Sequence, residues 1–255
     1  VLSIITINYN NKTGLEKTIA SVISQTTKDI EFVIIDGGST DGSLDVIKKH
    51  EKEIAHWTSE KDKGIYNAQN KGILKATGEY CLFLNSGDIL ASDNVLNSFI
   101  PQLKQVDIVY GDLVTIDNKG TREELVSPDI LDVPLFMVST LWHPTAFIKR
   151  DLFSKYGLYN EEFKITGDYE FFIRSILKNN ASTKHISVPV SIFDLTGISN
   201  SANTEAQHNI ERKKSWLLNY SAPEIEAFEK YTQLLRSREY KIGRLVNKFF
   251  KPFKK

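Results

Sequence analysis

The chain has 255 residues, 41% hydrophobic and 25% charged, the balance of a globular protein with one large α/β domain, with or without an appendage. No apolar run approaches the ~18–20 residues of a membrane span, and the first residues lack a basic n-region, so no signal peptide is expected. The 32 basic and 32 acidic residues cancel, but the last twenty residues carry eight basic groups against Glu239 alone, which suits an anionic partner.

Val1 to Ile7 is β-branched and apolar, a buried strand that stops at the polar run Asn8-Tyr9-Asn10-Asn11. Leu15, Ile19, Val22 and Ile23 then recur at helical spacing. Glu31 to Asp36 is a second buried strand, broken by Gly37-Gly38. Ser39-Thr40-Asp41 supplies N-cap chemistry for a helix with Leu44, Ile47 and His50. Ala55 to Ser59 is a short third strand, followed by a turn at Asp62-Lys63-Gly64 and a helix with Ala68, Gly72, Ile73 and Ala76. Tyr80 to Leu84 is apolar without alternation, as in a strand buried on both faces, and ends at Asn85-Ser86-Gly87-Asp88. The single cysteine, Cys81, lies inside that run, which predicts a core role and a reducing compartment.

Four β-then-α alternations predict a mostly parallel sheet with helices on both faces. Right-handed crossovers then bring the loops at Asn10, Asp36–Asp41, Asp62 and Asp88 to one edge of the sheet. Ligands sit outside the carboxyl ends of strands in such sheets. A carboxylate such as Asp88 can there hold a metal bound to phosphates, although an Asp chosen for its turn chemistry explains the position as well.

The second half is less regular. Asp107 to Ile116 reads as a strand with a turn at 117–120; Thr145 to Ile148 is a short strand before a helix from Asp151. Asp168 opens an amphipathic helix with Tyr169, Phe172, Ile173, Ile176 and Leu177, where it either caps the helix or does chemistry. Lys184 to Leu195 is strand-like around Pro189, a residue that favours an edge. From Thr204 the pattern is helical, with breaks near Pro223 and Pro252. In the tail Ile242, Leu245, Val246 and Phe249 share one helical face and Lys241, Arg244, Lys248 and Lys251 the other, the pattern of a membrane-surface helix or of a helix packed on the domain.

The motifs S-I-I-T-I-N-Y-N, I-I-D-G-G-S-T-D-G-S, G-I-Y-N-A-Q-N-K-G-I-L-K-A-T-G-E-Y before F-L-N-S-G-D, and T-G-D-Y-E-F-F-I-R occur in this order. Together the set resembles the family-2 inverting glycosyltransferases of bacteria, with the GT-A fold, and within them a subgroup that builds surface polysaccharides. The resemblance covers roughly Leu2 to Ser199. It implies a GT-A domain over 1–200, with a nucleotide-binding half to about 115 and an acceptor half beyond it, and a helical C-terminal extension over 201–255.

The resemblance further implies a nucleotide-sugar donor, by default a UDP-sugar, and a glycan or lipid-linked acceptor. Tyr9 and the backbone near Thr6 would line the base pocket, and Asp36 would accept from a base N–H. Asp41 is open between that site and a helix cap. Asp62 and Asn70 match the sugar-nucleotide side, or are turn and helix-surface choices. Asp88 matches the last carboxylate of the metal motif, and Asp168 the catalytic base. His143 in L-W-H-P-T matches an acceptor-side position, or is a buried structural histidine. Gly197 and Ser199 resemble a late family loop or form an ordinary turn.

Where many relatives are acidic this chain has Asn85 and Gly87, so Asp88, helped by the Asn85 carbonyl, would hold a divalent cation, Mn2+ or Mg2+. The implied location is cytoplasmic, with 236–255 on the inner face of the plasma membrane. A non-catalytic sugar-nucleotide or glycan-binding relative is the alternative, to which the retention of Asp88 and Asp168 is opposed. No G-x-G-x-x-G follows the first strand, which speaks against a dinucleotide enzyme. A nucleic-acid role has only the basic tail behind it.

Overall fold

The computed structural model describes residues 2–117, 119–195 and 204–237. Its first half alternates strand and helix: β1 (Leu2–Asn8), α1 (Lys12–Ile23), β2 (Ile30–Asp36), α2 (Ser43–Lys49), β3 (His56–Ser59), α3 (Ile65–Lys75) and β4 (Tyr80–Phe83). A short β5 (Ile89–Leu90) and α4 (Val95–Phe99) lead to β6 (Ile108–Ile116), which forms a hairpin with β7 (Arg122–Leu125). There follow α5 (Val133–Val138), β8 (Ala146–Lys149), α6 (Asp151–Tyr156), α7 (Gly167–Phe172), β9 (Thr183–Asp194), α8 (Glu205–Asn219) and α9 (Ala222–Arg236).

The described strands make one sheet in the order β3-β2-β1-β4-β8-β6-β9-β5, with β7 on β6. The run β3-β2-β1-β4 is parallel, as the βα alternation requires. β8 then enters antiparallel to both β4 and β6, so the parallel part is followed by a mixed one. β9 runs parallel to β6, with register shifts around Asp112, which pairs with Pro189. β5 reaches only Ser191 and Ile192, so β9 is locally an edge at Pro189, where the missing N–H costs no ladder bond.

Alternate strand residues face opposite sides. Ile5, Val33, Ile35, Cys81 and Phe83 pack with Tyr66, Ala68 and Ile73 of α3 on one face. Ile4, Phe32, Ile34 and Leu82 pack with Leu15, Ile19 and Val22 of α1 and Ile47 of α2 on the other. Both faces are covered, which is why these strands read as continuous apolar runs. Burial pushes the Cys81 thiol up to about 12, so it is a packing residue and not a nucleophile. Among the described residues no helix is long and apolar enough to cross a membrane.

The C-terminal helices join this core. Trp216 of α8 is buried in the same apolar cluster as Tyr169 of α7, and its indole N–H donates to the Tyr169 hydroxyl at 2.8 Å. The expected basic helix beyond Ser237 and the loop with Gly197 and Ser199 lie outside the described residues.

Candidate active site

The carboxyl ends of β1, β2 and β3 meet around one buried carboxylate. Asn8, Asp36 and Ser59 are register partners across the three strands. Asp36 is wholly buried, and one of its oxygens accepts from the Asn8 amide (2.8 Å) and the Ser39 hydroxyl (2.6 Å). The other accepts from the backbone N–H groups of Gly38 and Ser39 and from the Ser59 hydroxyl. Burial works against its charge, but the Ser39, Ser59 and Asn8 bonds outweigh it and hold the carboxyl below its usual range. Through these bonds Asp36 ties together the turn that shapes the pocket at this edge.

Asp41 likewise joins loops. One oxygen accepts from the Ser43 N–H and hydroxyl at the start of α2, the other from the Lys12 N–H at the start of α1. Gly42, not Asp41, holds the cap position of α2, and Asp41 ties the starts of the two helices together. Thr6 is buried, its hydroxyl donating to the Leu84 carbonyl at 2.7 Å, so it forms the floor between β1 and the end of β4. Tyr9, in contrast, is 68% exposed. A Cβ on Gly37 would stand 3.1 Å from its ring and 2.9 Å from Asp62 Oδ2, so Tyr9 and Asp62 flank that glycine at the open edge. Asp62 also pairs with Lys71 of α3 at 2.8 Å. Asn70 faces elsewhere: its amide donates to the Tyr159 carbonyl and Glu161, and its oxygen accepts from the Tyr159 N–H. Both its donors are engaged, and it anchors the 159–161 loop.

Asp88 follows a tight turn in which its N–H donates to the Asn85 carbonyl. Gly87 has φ +110°, a conformation that L side chains rarely adopt, and α1 pins the turn through Thr18, which accepts from the Gly87 N–H and donates to the Asp88 carbonyl. Asp88 is only 5% exposed. Across from it stands the short helical turn His143–Thr145, just before β8. His143 Nε2 lies 4.0 Å from Asp88 Oδ2 and 3.2 Å from the Asn85 side-chain amide, and Nδ1 lies 3.4 Å from Asp168 Oδ2. Burial opposes a charge on His143, but the contact with Asp168 and the fields of Asp168 and Asp88 prevail, so its pKa stands above 6.5.

Asp168 is the second residue of α7. Thr166 occupies the cap position and no side chain caps the helix there, so Asp168 is not its N-cap. Its Oδ1 accepts from the Tyr66 hydroxyl (3.1 Å) and the Tyr169 N–H (2.9 Å), which leaves Oδ2 toward His143. Tyr66, buried on α3, was not singled out by the sequence, although it lies within the G-I-Y-N motif. Gln69, one turn on, reaches Asn85 Oδ1 at 3.4 Å.

Asn85, His143 and Asp168 line a cavity of about 280 Å³ whose other walls include Ile165, Trp142, Tyr169 and Phe193. Among the described residues no three His, Cys, Asp or Glu side chains form a set able to hold a metal ion by themselves. Asp88 Oδ2 and the Asn85 amide nitrogen lie near the same His143 nitrogen, while Asn85 Oδ1 accepts from the Gln69 amide at 3.4 Å. The Asp88 carboxylate and the Asn85 side-chain oxygen at this turn are the hard-oxygen donors that a divalent cation takes, with a bound diphosphate supplying its remaining ligands.

The description of glycosyl transferase family 2 matches residues 3–178. The chain belongs to that family. A family-2 relative from Mycobacterium bovis (strain BCG / Pasteur), a PGL/p-HBAD biosynthesis glycosyltransferase, is 32% identical over 209 residues, 78% of this chain and 79% of the relative. An uncharacterized glycosyltransferase of Mycobacterium tuberculosis is 31% identical over 203 residues, 77% of this chain and 76% of its own. Among solved structures, the mannosyltransferase PcManGT of Pyrobaculum calidifontis, in complex with GDP-Man and Mn2+, matches with a TM-score of 0.68 at 18% identity, covering 91% of this chain and 70% of that one. Staphylococcus aureus TarS matches with a TM-score of 0.64 at 18% identity over 76% of this chain, which spans 36% of TarS. A TarS fragment, residues 1–349, in complex with UDP-GlcNAc matches at 0.62 and 19% identity, over 76% of this chain and 58% of the fragment. The GT-A type α/β fold expected from the motifs is the fold of these glycosyltransferase neighbours.

Proposed function

We propose that this family-2 transferase moves a sugar from a nucleoside-diphosphate donor, by default a UDP-sugar, to an acceptor hydroxyl with inversion at the anomeric carbon. The observation that carries the reading is the line Asp88–His143–Asp168, which sets one carboxylate at the phosphate-side loop and another on the far side of a single imidazole. A direct displacement needs that separation. Asp168 Oδ2 takes the acceptor's proton as the hydroxyl oxygen bonds to the anomeric carbon, and the diphosphate leaves with the electrons of the broken C–O bond. A divalent cation held by Asp88 and the Asn85 carbonyl, Mn2+ or Mg2+, would neutralise charge on the departing diphosphate. Tyr66 and the Tyr169 N–H fix the base's other oxygen, so the reacting one is oriented before the acceptor arrives.

The donor half lies at the open edge beside Tyr9, Gly37 and Asp62, and two neighbours of this fold are in complex with UDP-GlcNAc and with GDP-Man and Mn2+. The acceptor half is the cavity beyond Asp168, whose apolar walls of Ile165, Trp142 and Phe193 suit a hydroxyl carried on an apolar or sugar-ring body. A lipid-linked or glycan acceptor of cell-surface synthesis, met at the inner face of the plasma membrane, fits that lining. It also fits the biosynthetic role in the name of the mycobacterial relative, a PGL/p-HBAD biosynthesis glycosyltransferase.

The test is a thermal-shift panel of UDP-, GDP- and dTDP-sugars with and without Mn2+. The true donor raises the melting temperature by mass action. Absence of a shift with every sugar nucleotide, with and without Mn2+, overturns the reading.

A further inference from the structure

We infer that Glu211 of α8 is a positioning residue for the catalytic base, and that the helix outside the matched family segment aligns the acceptor half of the site. The inference rests on the reading of Asp168 as the base. Glu211 is 2% exposed, on a helix otherwise rich in solvent-facing charge. Its carboxylate accepts three successive backbone N–H groups: Lys164 at 2.9 Å, Ile165 at 3.0 Å and Thr166 at 2.9 Å. The Thr166 hydroxyl donates to it as well, at 3.2 Å, and Gln207 holds it from one turn earlier at 2.7 Å. Asp168 follows two residues after this clamped segment.

Buried backbone N–H groups need acceptors, and these three lie in the loop that ends at the Thr166 cap position of α7. Their acceptor comes from another element, α8. A buried carboxylate bound by several N–H groups is a strong, directional tie. Burial disfavours its charge, and the bonds from Gln207 and the three N–H groups keep it ionised, below the ordinary carboxyl range.

The neighbouring residue holds the other side of the cavity. Arg212 donates to the carbonyls of Phe136 (2.9 Å) and Ser139 (2.8 Å), on the segment that leads to His143. Its guanidinium also lies over the Tyr169 ring at 4.1 Å. One turn of α8 therefore grips both loops that present Asp168 and His143, and it does so beyond residue 178, where the family match ends.

The test compares Glu211→Gln, Glu211→Asp and Asp168→Asn with the wild-type chain. Three quantities are measured: turnover of UDP-glucose, UDP-galactose and UDP-GlcNAc with water as acceptor, UDP affinity by calorimetry, and amide exchange at 164–168. Glu211→Gln keeps the shape but turns donors toward the backbone N–H groups. It is expected to lower kcat by ~10–100-fold, the cost of a misplaced catalytic group. KM for the sugar nucleotide and the Kd for UDP should stay within about twofold, since the donor loops are remote from α8. Exchange at 164–166 should accelerate, and Glu211→Asp should recover part of the rate.

A Glu211→Gln protein with wild-type kcat, in which Asp168→Asn has lost its turnover, overturns the positioning role alone. An Asp168→Asn protein with wild-type turnover overturns the base reading, and the positioning role with it. If Glu211→Gln does not fold, Glu211→Asp carries the same comparison, and wild-type exchange and kcat in that variant overturn the inference.

Discussion

His143 Nδ1 stands 3.4 Å from Asp168 Oδ2, and the other nitrogen of the same imidazole stands 4.0 Å from Asp88 Oδ2. The contact joins parts of the chain that sequence reading treats separately, the turn before β8 and the start of α7. It orients the open oxygen of Asp168 while Tyr66 and the Tyr169 N–H hold the other. A carboxylate that only capped α7 would face its own helix. This one faces a histidine across a cavity.

The first prediction follows from that placement. Asp168→Asn keeps Oδ1 for Tyr66 and Tyr169 and keeps the side chain's shape, but it cannot take a proton. The expected loss is ~10²–10⁴-fold in kcat, with donor affinity nearly unchanged. Because Thr166 holds the cap position, the melting temperature should move little. Transfer at wild-type rate by the Asn variant would remove Asp168 as the base.

Asp88 makes a different prediction. Its turn is fixed by Thr18 and Gly87, and under the proposed role in holding the donor's cation Asp88→Ala should act on donor binding. UDP affinity in the presence of Mn2+ is expected to fall at least about tenfold, or ~1.4 kcal/mol. Affinity without the metal should change much less. Calorimetry with and without Mn2+ decides, and a variant that keeps the full Mn2+ enhancement refutes the assignment.

Much of this was legible in the chain. Continuous apolar runs give β1 to β4 almost to the residue, because both faces of those strands are covered, and the polar stops after them give the converging loops. Asp88 follows the turn after β4 and Asp168 lies in the first turn of α7, as the sequence pattern predicts. Less legible was the direction of buried polar side chains. Asp36 and Asn70 have the residue types of ligand contacts, and in the fold they also bond Ser39, Ser59 and Tyr159, partners that are distant in sequence or set by loop geometry. Glu211 left no signal: in E-R-K-K it reads as a solvated helix face, and only the fold brings it against residues 164–166. The β7 hairpin and α5 were also missed, since R-E-E-L is exposed and V-P-L-F-M-V is too short for a period.

Gly111 offers a stability test away from the site. It lies in β6 beside the register shift, where a Cβ would stand 2.5 Å from the Val188 carbonyl oxygen and 2.6 Å from the Phe99 ring. The backbone contact cannot swing aside as a flexible side chain could. Gly111→Ala should therefore cost ~1–3 kcal/mol by overpacking. Each kcal/mol lowers Tm by about 2–4 °C for a chain of this size. An unchanged Tm would mean that β6 and β9 can separate at no cost.

The last prediction concerns pH and uses a histidine remote from the transfer chemistry. His185 on β9 stacks on Tyr110 with ring centroids 5.3 Å apart, and both its nitrogens meet carboxylates, Nε2 at 2.8 Å from Asp112 and Nδ1 at 2.8 Å from Asp129. Two acceptors call for two ring N–H donors, which only the protonated imidazole has. Burial opposes the charge, but Asp129 and Asp112 together raise the pKa above 6.5. Asp129 is 89% exposed and its part is screened, whereas Asp112 is almost wholly buried and also accepts from the Ser127 N–H. With the folded pKa raised, the folded chain holds the proton more tightly than the unfolded one. The contribution to stability is thus complete below the unfolded value near 6.5 and is lost as pH rises through the folded one. His143 shifts in the same direction, so wild type alone would mix the two. The measurement is the difference in unfolding free energy between wild type and His185→Gln, by urea titration from about pH 5 upward, above the range where carboxylates protonate. The difference should be largest on the acid side of 6.5 and shrink on the alkaline side. A difference that stays flat, or grows with pH, would show that His185 is neutral in the folded chain.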